Sequence, residues 1–450
     1  MTKKINHTLF LCVLMLAISI KVQSQETLSL NECKKQALKH NQTVKVKQAS
    51  FTSSEASLKL AKRASLPNAD FEISYLYAND PMQMNIPGFE LPNLDGTPSG
   101  VYSPAALTNL QYKNSYNANV GVALPIYMGG KLAQARKIAV KSMAISKSEI
   151  ALSKTEVLLN IEEQYWTLVS LIETQELSIK SISFLSDVVT DVTNFYESGI
   201  VTKNEVLKAQ VELNNAKLSD ISLRNNIEML KMAINQSIGK EINSPLQIED
   251  KEIDEYMKMD LINSQNISID NREEIQVLSN MTKIYESENK IVNADYKPQL
   301  TAFGNYYLQN PNHLSQQEDE LTFNTGVSLS IPVFHWGEKS LKNKQAQIKV
   351  SNAEFLLDQT KELLTLEIHQ SIFKLKEAMT KLHFTIEALR QAEENLNLET
   401  NRLKEQVSTT TDLLNAQVQW QKAKVDYISA KASVKISEAT YSKAIGNLNP

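Results

Sequence analysis

Few side chains in this 450-residue sequence are spaced for chemistry. His40, His313, His335, His369 and His383 are scattered and make no metal-ligand spacing. His335-Trp336 stands where a strand-like segment becomes a helix-like one, which fits packing at an interface better than ligation. Glu162-Glu163 has the composition of an acid/base pair, but within a long helical stretch it reads as a solvated face. There is no Gly-rich phosphate cradle, no Ser nucleophile elbow, no His-Glu-x-x-His helix and no paired-Cys motif. The residues point away from catalysis, and no catalytic, cofactor-binding or metal-ligating residue is expected.

Targeting, cysteine and charge narrow the setting. Lys3 and Lys4, the apolar run from Leu9 to Ile20 and the exit Val22-Gln23-Ser24 read as an export signal over residues 1–24. Its apolar core, about a dozen residues, is short against the ~20 that span a bilayer. Cys12 falls inside the signal without the small residues expected ahead of a lipid-modified cysteine, and Cys33 reads as a small residue on a helix. Neither a disulfide within the chain nor a lipid anchor is expected. With 47 basic and 51 acidic side chains and no long block of either sign, no nucleic-acid partner is expected. No other stretch approaches 18 apolar residues, so any membrane residence must come from strands.

The elements carrying these residues occur twice. Shifted by 207 positions without a gap, Pro125 falls on Pro332, Gly130 on Gly337, Ala209-Gln210 on Ala416-Gln417 and Ile238-Gly239 on Ile445-Gly446. The prolines end β-like segments, the glycines open long helices and Ile-Gly closes the last helix of each copy. Neither Gly nor Pro occurs between Gly130 and Gly199 or between Gly337 and Gly446, which predicts helices over about 131–196 and 338–405. The first would run about 100 Å, a length that implies a coiled-coil or helical-barrel setting. Ile161, Tyr165, Leu168, Ile172, Ile179, Ile182 and Val189 form one stripe, with Leu177, Phe184 and Val188 beside it. That spacing fits either two seams of a helix set between neighbours in a ring or one core-facing stripe. After turns at Glu197 to Val201 and Gln406 to Ser408, Thr202 and Thr409 are placed to cap return helices over about 202–238 and 409–445. Glu205 and Asp412 would complete their capping boxes.

Upstream of each long helix lie two segments of period two, about 68–78 and 114–125 in the first repeat (25–239) and about 299–309 and 321–332 in the second (270–450). Apolar and aromatic residues such as Phe71, Ile73, Val120, Tyr306 and Phe323 alternate with small polar ones. A membrane barrel and an ordinary half-buried hairpin both show this alternation, and Tyr75, Tyr77, Tyr116, Tyr127, Tyr306, Tyr307, Phe334 and Trp336 at or near strand ends favour the membrane. From Pro67 to Pro125 the chain spans 58 residues and from Pro298 to Pro332 it spans 34, so the first hairpin carries an exposed loop from Asn79 to Gln111. Ser29-Leu30-Asn31-Glu32 and Asp270-Asn271-Arg272-Glu273 open a helix ahead of each strand pair, and residues 240–269 form a polar connector.

The doubled arrangement resembles the TolC-type outer-membrane factors over essentially the whole mature chain. The resemblance rests on Leu124 to Gly130 and Ile331 to Gly337 at the strand-to-helix junctions, where Pro125, Gly130, Pro332 and Gly337 stand, and on Gly199 to Ala209 and Val407 to Ala416 at the turns. It implies a mostly α chain with a small transmembrane β part. Four strands per chain would join a homotrimeric 12-stranded barrel in outer-membrane lipid, continued by an α-helical barrel. It implies that Gly199, Ile200, Val201, Thr202, Val407, Ser408 and Thr409 form a periplasmic tip that meets an adaptor protein and, through it, an inner-membrane pump. In the family pattern Asp-x-Leu-Asp-Ala, the first carboxylate falls on Asp412 and the second on Asn415, so Asp412 is a candidate gate and Asn415 weakens it; Ser408 replaces the latching Arg of some members. The implied function is the exit duct of a tripartite efflux pump for small molecules. Ducts of type I protein secretion or metal efflux are alternatives, and a soluble periplasmic coiled-coil scaffold is an alternative of another class.

Overall fold

The computed structural model describes residues 27–80, 82–109, 112–249, 268–310 and 319–448. The export signal with Cys12, most of the 240–269 connector and His313 lie outside the described residues. In chain order the elements are β1 (Thr27–Leu28), α1 (Leu30–His40), α2 (Gln42–Arg63), β2 (Asn68–Tyr77), β3 (Gln83–Ile86), β4 (Phe89–Pro92), β5 (Pro98–Ser103), β6 (Ala106–Asn109) and β7 (Asn114–Met128). There follow α3 (Lys131–Glu197), α4 (Lys203–Ile238), β8 (Gln247–Ile248), α5 (Glu273–Ala294), β9 (Gln299–Asn310), β10 (Glu320–Ser330), α6 (Glu338–Lys404) and α7 (Thr410–Ala444). The helices α3 and α6 are each 67 residues long and begin and end at positions 207 apart. All four ends of the helical hairpins close alike. Gly199, Gln406, Gly239 and Gly446 take positive φ, and the next residue donates back to the carbonyls of Phe195, Arg402, Asn235 and Ser442. This bond from the residue after a left-handed one is the Schellman closure.

The chain divides into two units. One is helical, and its described residues are 27–52, 145–249, 268–279 and 355–448. Its buried side chains form three clusters. Leu28, Cys33 and Val44 meet Ile161, Tyr165, Leu168 and Ile234. Ile368, Ile372 and Leu375 meet Val434 and Tyr441. Leu185, Val188 and Val192 of α3 meet Val206 and Ala209 of α4 and Leu413 and Leu414 of α7. The α3 stripe departs from the expected one: Ile179 is exposed, and past Leu168 the buried line passes through Leu177, Ser178, Ser181, Leu185, Val188 and Val192. Small Ser181 lets α7 approach closely, accepting from Gln417 Nε2 at 2.9 Å and donating to Gln421 Oε1 at 2.8 Å.

Glu162 is not part of a solvated face. It is buried, 2.6 Å from Lys34 Nζ, and accepts from Trp166 Nε1 at 3.0 Å, while Glu163 alone faces solvent. Lys34 arrives from α1, so adjacency in sequence carried no sign of the pair. Cys33, the neighbour of Lys34, is fully buried, and burial pushes its thiol up to about 11. The resulting neutral thiol is a packing residue.

The second unit, from Ser53–Ala144 and Asn280–Glu354, holds an antiparallel four-stranded sheet in the order β10-β9-β7-β2. The Asn79 to Gln111 loop, whose residues 81, 110 and 111 lie outside the described set, folds into two small hairpins, β3 with β6 and β4 with β5.

Candidate functional site

Register turns the four strands into a two-faced wall. On one face, cross-strand rows read Phe71, Val120, Tyr306, Phe323 and then Ile73, Ala118, Leu308, Leu321. On the other they read Asp70, Gly121, Asn305, Asn324; then Glu72, Asn119, Tyr307, Thr322; then Ser74, Asn117, Gln309, Glu320. Strict alternation puts every second side chain on each face. The apolar face is bare: Phe71, Ile73 and Phe323 are each more than two-thirds exposed. The polar face is bonded within itself, with Asn305 Nδ2 donating to Asn324 Oδ1 at 3.1 Å and Gln309 Nε2 to Glu320 Oε2 at 3.2 Å. A Cβ at Gly121 would stand 2.9 Å from Asn305 Oδ1, so glycine leaves room for that amide. The outer strands β2 and β10 each pair on one side only.

At the strand-to-helix junctions the two repeats differ. Pro125 does not end its strand. It lies inside β7 opposite Thr301, and the register shifts between Pro125 and Tyr127, where a bulge accommodates a residue without an N–H. Pro332, in contrast, lies beyond the end of β10 at Ser330, as does Ile331. Gly130 and Gly337 both take left-handed φ, 96° and 78°, immediately before α3 and α6. Tyr127, Phe334 and Trp336 project here, and Tyr75, Tyr77 and Tyr116 lie at the other end of the strands, whereas Tyr306 and Tyr307, expected near a strand end, lie within β9, Tyr306 in an apolar row and Tyr307 in a polar one. Aromatic side chains thus bracket the apolar face at both ends.

Next to the helical turns, Glu205 and Lys208 of the first repeat meet Thr411 of the second. Ile200 and Val407 occupy equivalent positions and are both exposed. Thr409 makes the full capping box: its Oγ1 accepts from the Asp412 N–H at 3.2 Å, and Asp412 Oδ2 accepts from the Thr409 N–H at 3.3 Å and from its hydroxyl at 2.6 Å. Those bonds from Thr409 hold the Asp412 carboxyl below the usual aspartate value. Thr202 makes no side-chain cap. Its expected partner Glu205 turns instead to the second repeat, accepting from Lys208 Nζ at 2.9 Å and from Thr411 Oγ1 at 3.3 Å, while Lys208 also donates to Thr411 at 3.0 Å. Asn415 is exposed one turn further along α7, beside Leu207 and Val211 of α4. Ser408 donates to Glu399, which also pairs with Arg402 at 2.8 Å.

Sequence reasoning missed a pair of residues that close the return helices. Asn41, where α1 breaks from α2, accepts from the Thr43 N–H at 2.9 Å and donates to the Ser237 carbonyl at 3.2 Å. In the second repeat the buried Arg272 donates to the carbonyls of Lys443, at 3.2 Å, and Ala444, and its other nitrogens reach Glu274 and Glu367. Ser237 and Ala444 are 207 positions apart, so an amide and a guanidinium occupy the same place. The shared signal is position: both precede a 22-residue helix that ends just before Pro67 or Pro298. The Asp270 opening expected for α5 is a turn, and the helix begins at Glu273.

Residues 34–240 and 268–447 match the outer membrane efflux protein family, and the gap between the two matches falls on the connector. The chain belongs to the outer membrane efflux protein family. No curated protein sequence matches it. Among solved structures it is similar to the Campylobacter jejuni CmeC outer membrane channel (18% identity, TM-score 0.75, 93% of this chain and 86% of that one). It is also similar to the outer membrane protein VceC of Vibrio cholerae (16%, 0.72, 93% and 96%) and to the Neisseria gonorrhoeae MtrE outer membrane channel (14%, 0.71, 93% and 89%). The fold of this outer membrane efflux protein is therefore that of channels combining a β-barrel with an α-barrel, and its place is the outer membrane, extending into the periplasm. That placement removes the soluble scaffold reading. No described helix is long and apolar enough to cross a membrane.

Proposed function

We propose that three copies of this chain close a 12-stranded barrel and form the exit duct of a tripartite efflux pump for small molecules. The carrying observation is the wall itself: one continuous apolar face and two unpaired edges, β2 and β10, on a sheet of four strands. Unpaired edges in lipid cost several kcal/mol per unsatisfied group, and four strands are too few to close on themselves. Pairing β10 of one copy with β2 of the next satisfies both. Electron microscopy of the detergent-purified protein tests this: a threefold particle with a tunnel is expected, and a monomeric rod would refute it.

The turns formed by Gly199, Ile200, Val201, Thr202, Val407, Ser408 and Thr409 are the docking end for a periplasmic adaptor and, through it, the inner-membrane pump. The matched exposure of Ile200 and Val407 supports this, since two equivalent apolar points per chain offer a repeated surface. Charged substitutions at both positions should abolish adaptor pull-down while leaving membrane assembly intact.

Asp412 is first a helix cap and second a weak cation ring at that end. Both bonds from Thr409 reach one oxygen, Oδ2, and the adjacent Asn415 adds no charge. Divalent-cation block of single-channel current should weaken in Asp412→Ala, and unchanged block would remove the gate role.

A further inference from the structure

The four strands carry an asymmetry of charge that the duct reading does not require. Their 48 residues include Asp70, Glu72 and Glu320 but no Lys, Arg or His. Register sets all three carboxylates on the polar face, each in a different cross-strand row. The rows are consecutive, two residues or about 7 Å of strand apart. Amides, hydroxyls and small residues fill the rest of each row, so no base neutralises any level. Above them, the described part of the outer hairpin adds Asp80, Glu90 and Asp95 against the single base Lys113.

We propose that the β-barrel segment of the duct is a cation-selective exit, with Asp70, Glu72 and Glu320 as its selectivity-determining residues, so that cationic and neutral solutes leave readily and anionic ones are retarded. This rests on the trimeric duct reading: threefold closure with the apolar face toward lipid turns each row into a ring of three carboxylates on the lumen wall. Twelve strands about 4.8 Å apart and tilted by ~40° close with a backbone radius of about 12 Å. Inward side chains reduce the open radius to about the Debye length at physiological salt, ~8 Å, so the field of the wall reaches the axis. The carboxylates act as a field, not as a ligand cage. They are spread over three levels, and the described residues include no group of three or more His, Cys, Asp or Glu placed to hold a metal ion. Rings of carboxylates are a sufficient physical basis for cation preference in a water-filled pore.

The experiment is the reversal potential of the purified full-length protein in a planar bilayer under a KCl gradient. The wild type should pass K⁺ over Cl⁻ by about fivefold or more, and the Asp70→Asn, Glu72→Gln, Glu320→Gln triple variant should fall to within about twofold of unity with open channels retained. A wild type that prefers anions, or a triple variant that keeps the full ratio, would each overturn the proposal. Absence of any channel from the wild type would instead overturn the duct reading beneath it.

Discussion

The two strand-to-helix junctions share a left-handed turn but carry unrelated side chains in it. Gly129 and Trp336 are equivalent by the 207-residue shift, and both take left-handed φ, 63° and 46°. At Gly129 a Cβ would stand 2.4 Å from the Ala294 carbonyl oxygen and 3.0 Å from Lys297 Cβ, so only glycine fits. At Trp336 the side chain is 90% exposed and bears on Phe334, with ring centroids 5.0 Å apart. Where a neighbouring element presses on the turn, the strained conformation selects glycine. Where nothing presses, the turn tolerates a tryptophan and its strain, and the side chain becomes an outward aromatic near the end of the apolar wall. The turns at the far ends of the long helices repeat the lesson in milder form, with Gly199 at φ 76° and Gln406 at φ 62°.

The largest test of this comparison lies at the return-helix ends. Arg272→Ala should destabilise by about 3–5 kcal/mol, because it strips the α7 carbonyls and leaves Glu274 and Glu367 without their buried partner, whereas Asn41→Ala should cost about 1 kcal/mol. Thermal unfolding followed by circular dichroism in detergent would check the ratio, and equal losses would mean that the two sites are not equivalent closures. Gly129→Ala should come next, at about 2–4 kcal/mol, since backbone must move as well as φ, while Trp336→Gly should leave stability unchanged or slightly raised. At the return-helix starts, Thr409→Ala should cost about 1 kcal/mol and Thr202→Ala close to nothing, because only Thr409 makes the side-chain cap. Gly199→Gln should cost up to about 1 kcal/mol and Gln406→Gly should recover a similar amount, the sign reversing between repeats.

The smallest effect is one of pH. Asp412 has a folded-state pKa lowered by the Thr409 hydroxyl and N–H, so its contribution is complete above the ordinary carboxylate value and disappears as pH falls through the lowered one. Amide hydrogen exchange at the start of α7 should accelerate on acidification through that range in the wild type. In Thr409→Ala it should be fast throughout.

Much of the fold was legible because its signals are local. Absence of Gly and Pro, period-two alternation and repeated turn chemistry act within a few residues, and the duplication printed each twice. The misreadings share a different cause. Glu162 looked solvated because Lys34 lies far away in sequence, Ile179 looked buried because a stripe cannot show where a helix changes neighbours, and Glu205 left its expected cap for Thr411 of the other repeat. In each case a long-range partner outbid a short-range one. Pro125 was misplaced for a related reason, since a bulge is a property of two strands and only one was in view.

The sequence by itself determined two tandem copies, two very long helices free of breakers, four alternating strands and an unbroken absence of bases in those strands, since all are matters of residue order and composition. Tertiary structure decided which side chains share a row, which turn must be glycine, and which buried charges find partners, since these depend on distances between residues tens to hundreds of positions apart. The exit wall needed both. Composition supplied Asp70, Glu72 and Glu320, and only register placed them on one face in successive rows.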